Sequence, residues 1–215
     1  MTRDRAELVR RGLLLNYLTI GYNTMEAVIA LVAGLVTGSA ALVGFGFDSV
    51  IEVTASGAAQ WRLRADVAPE RREQVERRTR RIVAWSFLAL ALYVTGDSAR
   101  SLWLRERPAR SVLGTAILAL SVVVMPILAR AKARVGRAMR SGTLQSESRQ
   151  TSLCAYLSAI ALGGVALNAL AGWWFADPVA ALVMVPIIGR EGIGALRGDR
   201  CRDDACEPPR RSSPG

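Results

Sequence analysis

Apolar residues along the chain fall into long blocks separated by short segments rich in arginine. Two of the runs, Ala27 to Phe47 and Ser152 to Ala176, carry no charge at all. Both are longer than the core helix of a soluble domain usually needs, and about 20 apolar residues in a helix cross the roughly 30 Å hydrocarbon core of a bilayer. The block pattern predicts helices at residues 12–36, 40–61, 82–103, 111–129, 150–172 and 177–190. The sixth is short, so it must extend into the segment around Glu191 to Leu196 or stand with little tilt. The fold class read from this pattern is an all-α membrane protein with six transmembrane helices over residues 1–196. Residues 197–215, rich in Arg, Asp, Pro and Ser, have too few apolar side chains to bury a core and are expected to form a disordered cytoplasmic tail. Asp177-Pro178 reads as a helix start, the Asp able to cap free amides and the Pro tolerated at the first helical position. Pro108 marks the break between the third and fourth helices.

Charge refines the picture. The net charge is +10, yet 27 of the 28 basic residues are Arg and they lie between the apolar blocks, which reads as topology; no stretch is long enough to build a basic face on a soluble core, so the expected partner is the lipid bilayer and not nucleic acid. The N-terminus, the 62–81 and 130–149 segments and the tail together hold 24 basic residues, against Arg100, Arg105, Arg107 and Arg110 on the other side. The positive-inside rule then places both termini in the cytoplasm, with the protein in a plasma membrane of the bacterial inner-membrane kind. The first apolar block is too long for a signal peptide and is read as a retained span. Cys154 lies in an apolar block and Cys201 and Cys206 in the tail, which implies no disulfide framework.

The candidate chemistry comes from polar residues at membrane depth. A carboxylate at the centre of a span costs about 2.5–3.5 kcal/mol on insertion scales, so it needs a partner or a cavity. Asp48 and Glu52 lie four residues apart in the second helix, on one face and about one turn from each other. Carboxylates that close repel unless a cation or a shared proton sits between them. In the fifth helix Glu147, Gln150, Thr151 and Cys154 follow the i, i+3, i+4, i+7 spacing of one face and are candidates to complete a metal site. A thiolate with carboxylates suits zinc or cadmium, and an all-oxygen set suits manganese or magnesium. Taken singly, Cys154 also fits as a small buried apolar residue, and Glu147 as a first-turn acid. Asn23 and Glu26 on the first helix form a second tier of candidates. Asp97 with Arg100 reads as an interfacial ion pair, and Gly34, Gly38, Gly163 and Gly164 as close-packing positions.

The stretch Gly38-Ser-Ala-Ala-Leu-Val-Gly-Phe-Gly-Phe-Asp48-Ser-Val-Ile-Glu52 resembles the helix 1–2 signature of the cation diffusion facilitator (cation efflux) family, in which Gly-Ser precedes an Asp-x-x-x-Asp metal pair. Asp48 and Glu52 fall on that pair. Trp-Trp-Phe-Ala-Asp177-Pro178 resembles the family's entry into its sixth helix, and the resemblance covers residues 12–196. It implies a cation-efflux-like bundle working as a homodimer that exchanges divalent metal for protons. Two departures stand out: the chain has no His, whereas the family usually supplies His-x-x-x-Asp from helix 5, and the family's usual cytoplasmic C-terminal domain is expected to be missing. Counting back from Asp177 by the family's usual spacing lands near Gln150 and Cys154, with Glu147 and Thr151 as an alternative frame.

The leading functional reading is therefore a transporter of zinc, cadmium, cobalt, iron or manganese, with no resident cofactor and no enzymatic activity. A membrane metal sensor or partner-binding subunit that does not transport is the alternative. A membrane enzyme is disfavoured, since the sequence holds no nucleophile–base constellation or phosphate-binding loop.

Overall fold

The computed structural model describes residues 2–64, 69–139 and 142–197. These form six helices: α1 (Thr2–Thr37), α2 (Ala40–Arg64), α3 (Pro69–Leu104), α4 (Val112–Ala138), α5 (Gly142–Ala171) and α6 (Ala176–Arg197). No strand occurs among the described residues. The stretch expected to be a disordered tail lies, from residue 198 onward and with Cys201 and Cys206, outside the described residues.

Helix order and number follow the apolar blocks, but the helices outrun the blocks, and nearly always at the arginine-rich end. α1 and α3 begin about ten residues before their apolar stretches, α4 continues to Ala138, α5 starts at Gly142, and α6 takes the extension to Arg197. Arg and Glu are good helix formers, and hydrogen bonding continues once the backbone leaves the membrane. Hydropathy marks only the part inside the lipid, so it cuts such helices short.

Polarity is distributed inside out. Leu35, Leu92, Val112 and Leu170 face outward, while Asn16, Asn23, Glu26, Asp48, Glu52 and Thr151 are buried. Five helices are long and apolar enough to cross a membrane: α1, α3, α4, α5 and α6. α2 falls short, and Asp48 and Glu52 sit in its middle; it packs on α1, α3, α5 and α6. It completes a bundle of six transmembrane helices, and its acids are hidden from lipid by its neighbours.

At the loop end, α1 closes on Gly38 in the left-handed region (φ +69°), and the Ser39 amide donates back to the Gly34 carbonyl at 3.0 Å. This is the Schellman arrangement, and glycine there avoids a Cβ clash. Ser39 then caps α2, its hydroxyl oxygen accepting from the Leu42 amide at 3.2 Å. Asp177 departs from the sequence reading. It lies one residue inside α6 and caps α2 instead: Ser39 Oγ donates to its Oδ1 at 2.5 Å and the Ala41 amide to its Oδ2 at 3.5 Å. A buried carboxylate at the amino ends of two helices is favoured by both dipoles. The α3–α4 loop joins this end, with the Ala109 amide on the Thr37 carbonyl at 2.8 Å and Asn168 Nδ2 on the Pro108 carbonyl at 3.0 Å.

Of the four glycines expected at close contacts, two fill that role. A Cβ on Gly34 would come within 2.8 Å of the Val43 amide, and one on Gly164 within 2.5 Å of the Ala180 Cβ. Gly38 serves the turn and Gly163 faces open space. Arg100 pairs with Glu106 at 3.2 Å and not with Asp97 as expected, because the chain reverses after Leu104 and brings Glu106 back against α3. Gly34→Ala is expected to lower the thermal stability of the detergent-purified protein by about 1–3 kcal/mol through overpacking. Gly163→Ala, in open space within a helix, should be neutral or stabilising by up to about 1 kcal/mol. Equal effects in the two variants would contradict the close approach of α1 and α2.

Candidate metal site

α1 and α2 run antiparallel, and their register sets the levels of the interior. Near the arginine-rich end, Asn16 Nδ2 donates to Gln60 Oε1 at 2.7 Å and to the Ser56 carbonyl at 3.2 Å. Nearer the middle, Ser49 Oγ donates to Glu26 Oε2 at 3.0 Å. That register puts Asn23 of α1 level with Glu52 of α2. The inward face of α1 reads Asn16, Thr19, Asn23, Glu26, Ala30, Ala33, all buried. It is polar in the half near the arginine-rich end and small and apolar in the other half. Leu42 and Phe45 of α2, Leu118 of α4 and Ala161 of α5 continue that apolar half.

Asp48 and Glu52 are both buried. They line a narrow cleft between α2, α3, α5 and α6, together with Phe87, Gln150, Ile187 and Glu191. The one-turn spacing read from the sequence thus places both acids on a common space, and of the α5 candidates Gln150 shares it. Cys154, fully buried, lies beside both acids and its Sγ is 3.9 Å from Glu26 Oε2. Thr151 Oγ1 donates to Glu52 Oε1 at 2.8 Å, and Glu52 Oε2 has no hydrogen-bond partner. Glu147 instead sits against Lys132 of α4, with Nζ 3.4 Å from Oε2. Lys132 Nζ also lies 3.4 Å from Thr151 Oγ1.

Glu26 anchors a second cluster. It accepts from Ser49 and from Ser121 of α4, and Ser121 in turn shares a 2.8 Å hydrogen bond with the Tyr22 hydroxyl. Asn23, fully buried, has no partner on either side-chain polar atom. Seven of the eight candidate residues therefore lie in the bundle interior, and the eighth, Gln150, is half-buried at the cleft. They do not form a closed cage, since among the described residues no three Cys, Asp or Glu side chains are placed to hold one ion.

Sequence reasoning missed three contributors. Lys132 is the single lysine of the chain, a signal visible beside 27 arginines. Glu191 lies just past the predicted end of the sixth helix, in the segment offered only as a possible extension of that helix. Ser121 sits in an apolar block, and nothing in the sequence separates it from the many serines that bond only to their own helix.

A family model described as the cation efflux transmembrane domain matches residues 17–197. The chain belongs to the cation efflux family. The resemblance carried by Gly38 to Glu52 and by Asp177-Pro178 is borne out, and the protein is an integral membrane cation transporter by family. No curated protein matches the chain significantly. The cation efflux match takes in every interior group named above except Asn16.

The unpartnered amide of Asn23 makes a prediction about stability. A buried polar group without a hydrogen bond costs about 1–3 kcal/mol, so Asn23→Leu, apolar and with the same branched arrangement of heavy atoms, should raise the melting temperature of the metal-free protein. A lower melting temperature would mean that the amide has a structural partner.

Proposed function

We propose that this cation efflux protein exchanges a divalent metal ion for protons through a site centred on Asp48 and Glu52, completed from α5 by Gln150 and Cys154. The observation that carries the reading is the pair of buried carboxylates one turn apart on α2, facing one cleft, with Glu52 Oε2 unpartnered. Two charges at membrane depth are costly and mutually repulsive, and a divalent cation offsets both terms together. The frame through Gln150 and Cys154 is favoured because Gln150 lines the cleft and Cys154 lies beside both acids, whereas Glu147 is turned to Lys132. Asn23 and Glu26 stand behind this set as outer ligands or supports.

Carboxylate, amide and thiol donors suit zinc or cadmium when the sulfur binds, and manganese, cobalt or iron when oxygens dominate. Metal binds deprotonated ligands, so loading the site releases protons and unloading takes them up, which couples the two fluxes. The positive-inside rule supports a cytoplasmic arginine-rich end, and export then requires the apolar layer of Ala30, Ala33, Leu42, Phe45 and Leu118 to part. A homodimer in the plasma membrane fits the family resemblance.

The test is zinc- or cadmium-driven proton movement in proteoliposomes. Asp48→Ala should reduce flux by more than the roughly 10–100-fold that loss of an outer-shell partner costs, while the protein stays monodisperse in detergent. Undiminished flux in that variant would overturn the site. A wild type that binds metal and carries none, with manganese, cobalt and iron also tried, would favour the sensor reading.

A further inference from the structure

We propose that Lys132 is a built-in cation that competes with the transported ion for Glu52, with Glu147 as the position to which its ammonium withdraws when cargo binds; the proposal rests on the Asp48–Glu52 site reading. Lys132 is the chain's only lysine, and its side chain is 1% exposed. Its Nζ stands equally far, 3.4 Å, from Glu147 Oε2 and from Thr151 Oγ1. The Thr151 hydroxyl donates onward to Glu52 Oε1 at 2.8 Å. One hydroxyl therefore links the ammonium to a proposed metal ligand, and a chain of hydrogen bonds in a low dielectric strengthens each member.

The two helices that carry the pair are closely packed beside it. α4 and α5 pack tightly there: Ser148 Oγ donates to the Ala129 carbonyl at 2.9 Å, and a Cβ on Gly136 would lie 3.2 Å from the Gln145 amide. Arginine, with its broad planar fork, serves every other basic position of the chain. A compact ammonium with three rotatable donors on a flexible stem is better suited to moving between two acceptors. With the site empty, Lys132 acting through Thr151 offsets part of the Glu52 charge. A divalent ion arriving at Glu52 repels the ammonium, which then rests on Glu147. When the ion leaves, the ammonium returns, so the carboxylate pair is not left bare and release is assisted. A monovalent ion carries no more charge than the lysine it must displace, so the device favours divalent cargo.

Opposite signs distinguish this arrangement from a purely structural ion pair. Cadmium titration by calorimetry of the full-length protein in detergent would compare wild type, Lys132→Met, Glu147→Gln, Thr151→Val and Asp48→Ala. Lys132→Met removes the competitor and should tighten cadmium binding by about tenfold or more, modest for a full charge this close at an effective dielectric of about 20. Glu147→Gln removes the negative charge to which the ammonium withdraws and should weaken binding by a similar factor. Thr151→Val cuts the link, leaves the Lys132–Glu147 pair in place and should tighten binding, which keeps the test open if Lys132→Met does not fold. Weakened or unchanged binding in Thr151→Val and Lys132→Met, with Asp48→Ala still abolishing it, would overturn the role of Lys132 and leave the site standing. Absence of any Asp48-dependent cadmium binding in the wild type would overturn both.

Discussion

Two carboxylates in the middle of a membrane helix constrain everything around them. Asp48 and Glu52 cannot face lipid, so α2 must be enclosed, and it packs on α1, α3, α5 and α6. Enclosure at that depth demands polar partners in place of water, and the neighbouring helices supply them: Thr151 to Glu52, Ser49 and Ser121 to Glu26, and Lys132 to Glu147. The resulting interior has a polar half toward the arginine-rich end and an apolar half toward the loops. Burying hydroxyls and carboxylates this way is a weak means of stabilising a bundle, since polar contacts between membrane helices average only about 0.6 kcal/mol. Their concentration around the α2 acids fits the cation site proposed above.

The rest of the fold holds that scaffold in register. Gly34 allows α1 and α2 to approach closely enough for Glu26 to reach Ser49, and Gly164 does the same for α5 and α6. At the loop end Asp177 ties the start of α6 to the start of α2 through Ser39. Motion between α2 and α6, if transport requires it, must either keep that cap or break it. The cleft opposite, lined by Gln150 and Glu191, lies between the same helices at the other end.

Much of this was legible in the sequence. Charge-free runs gave the spans, the distribution of arginine gave a common end for both termini, and the four-residue spacing of Asp48 and Glu52 gave a shared face. What the sequence obscured has physical causes. Helix ends beyond the lipid were lost because hydropathy does not register an arginine-rich helix in water. Asp177 was read as capping its own helix, since a capping signal specifies the side chain and not which of two adjacent helix starts it reaches. The two frames on α5 differ by three residues on one helical face, and only packing against α4 turns Glu147 to Lys132 while Gln150 enters the cleft. Lys132 was visible as a compositional exception, but its burial depends on how α4 and α5 meet.

The most direct test of the central claim is the position of the metal itself. An anomalous difference map at the zinc edge, from the zinc-loaded protein, should show a peak about 2.0–2.2 Å from carboxylate oxygens of both Asp48 and Glu52, with Cys154 Sγ at about 2.3 Å or the Gln150 amide oxygen completing the set. A fully occupied peak elsewhere in the bundle, with the α2 acids unligated, would contradict the account.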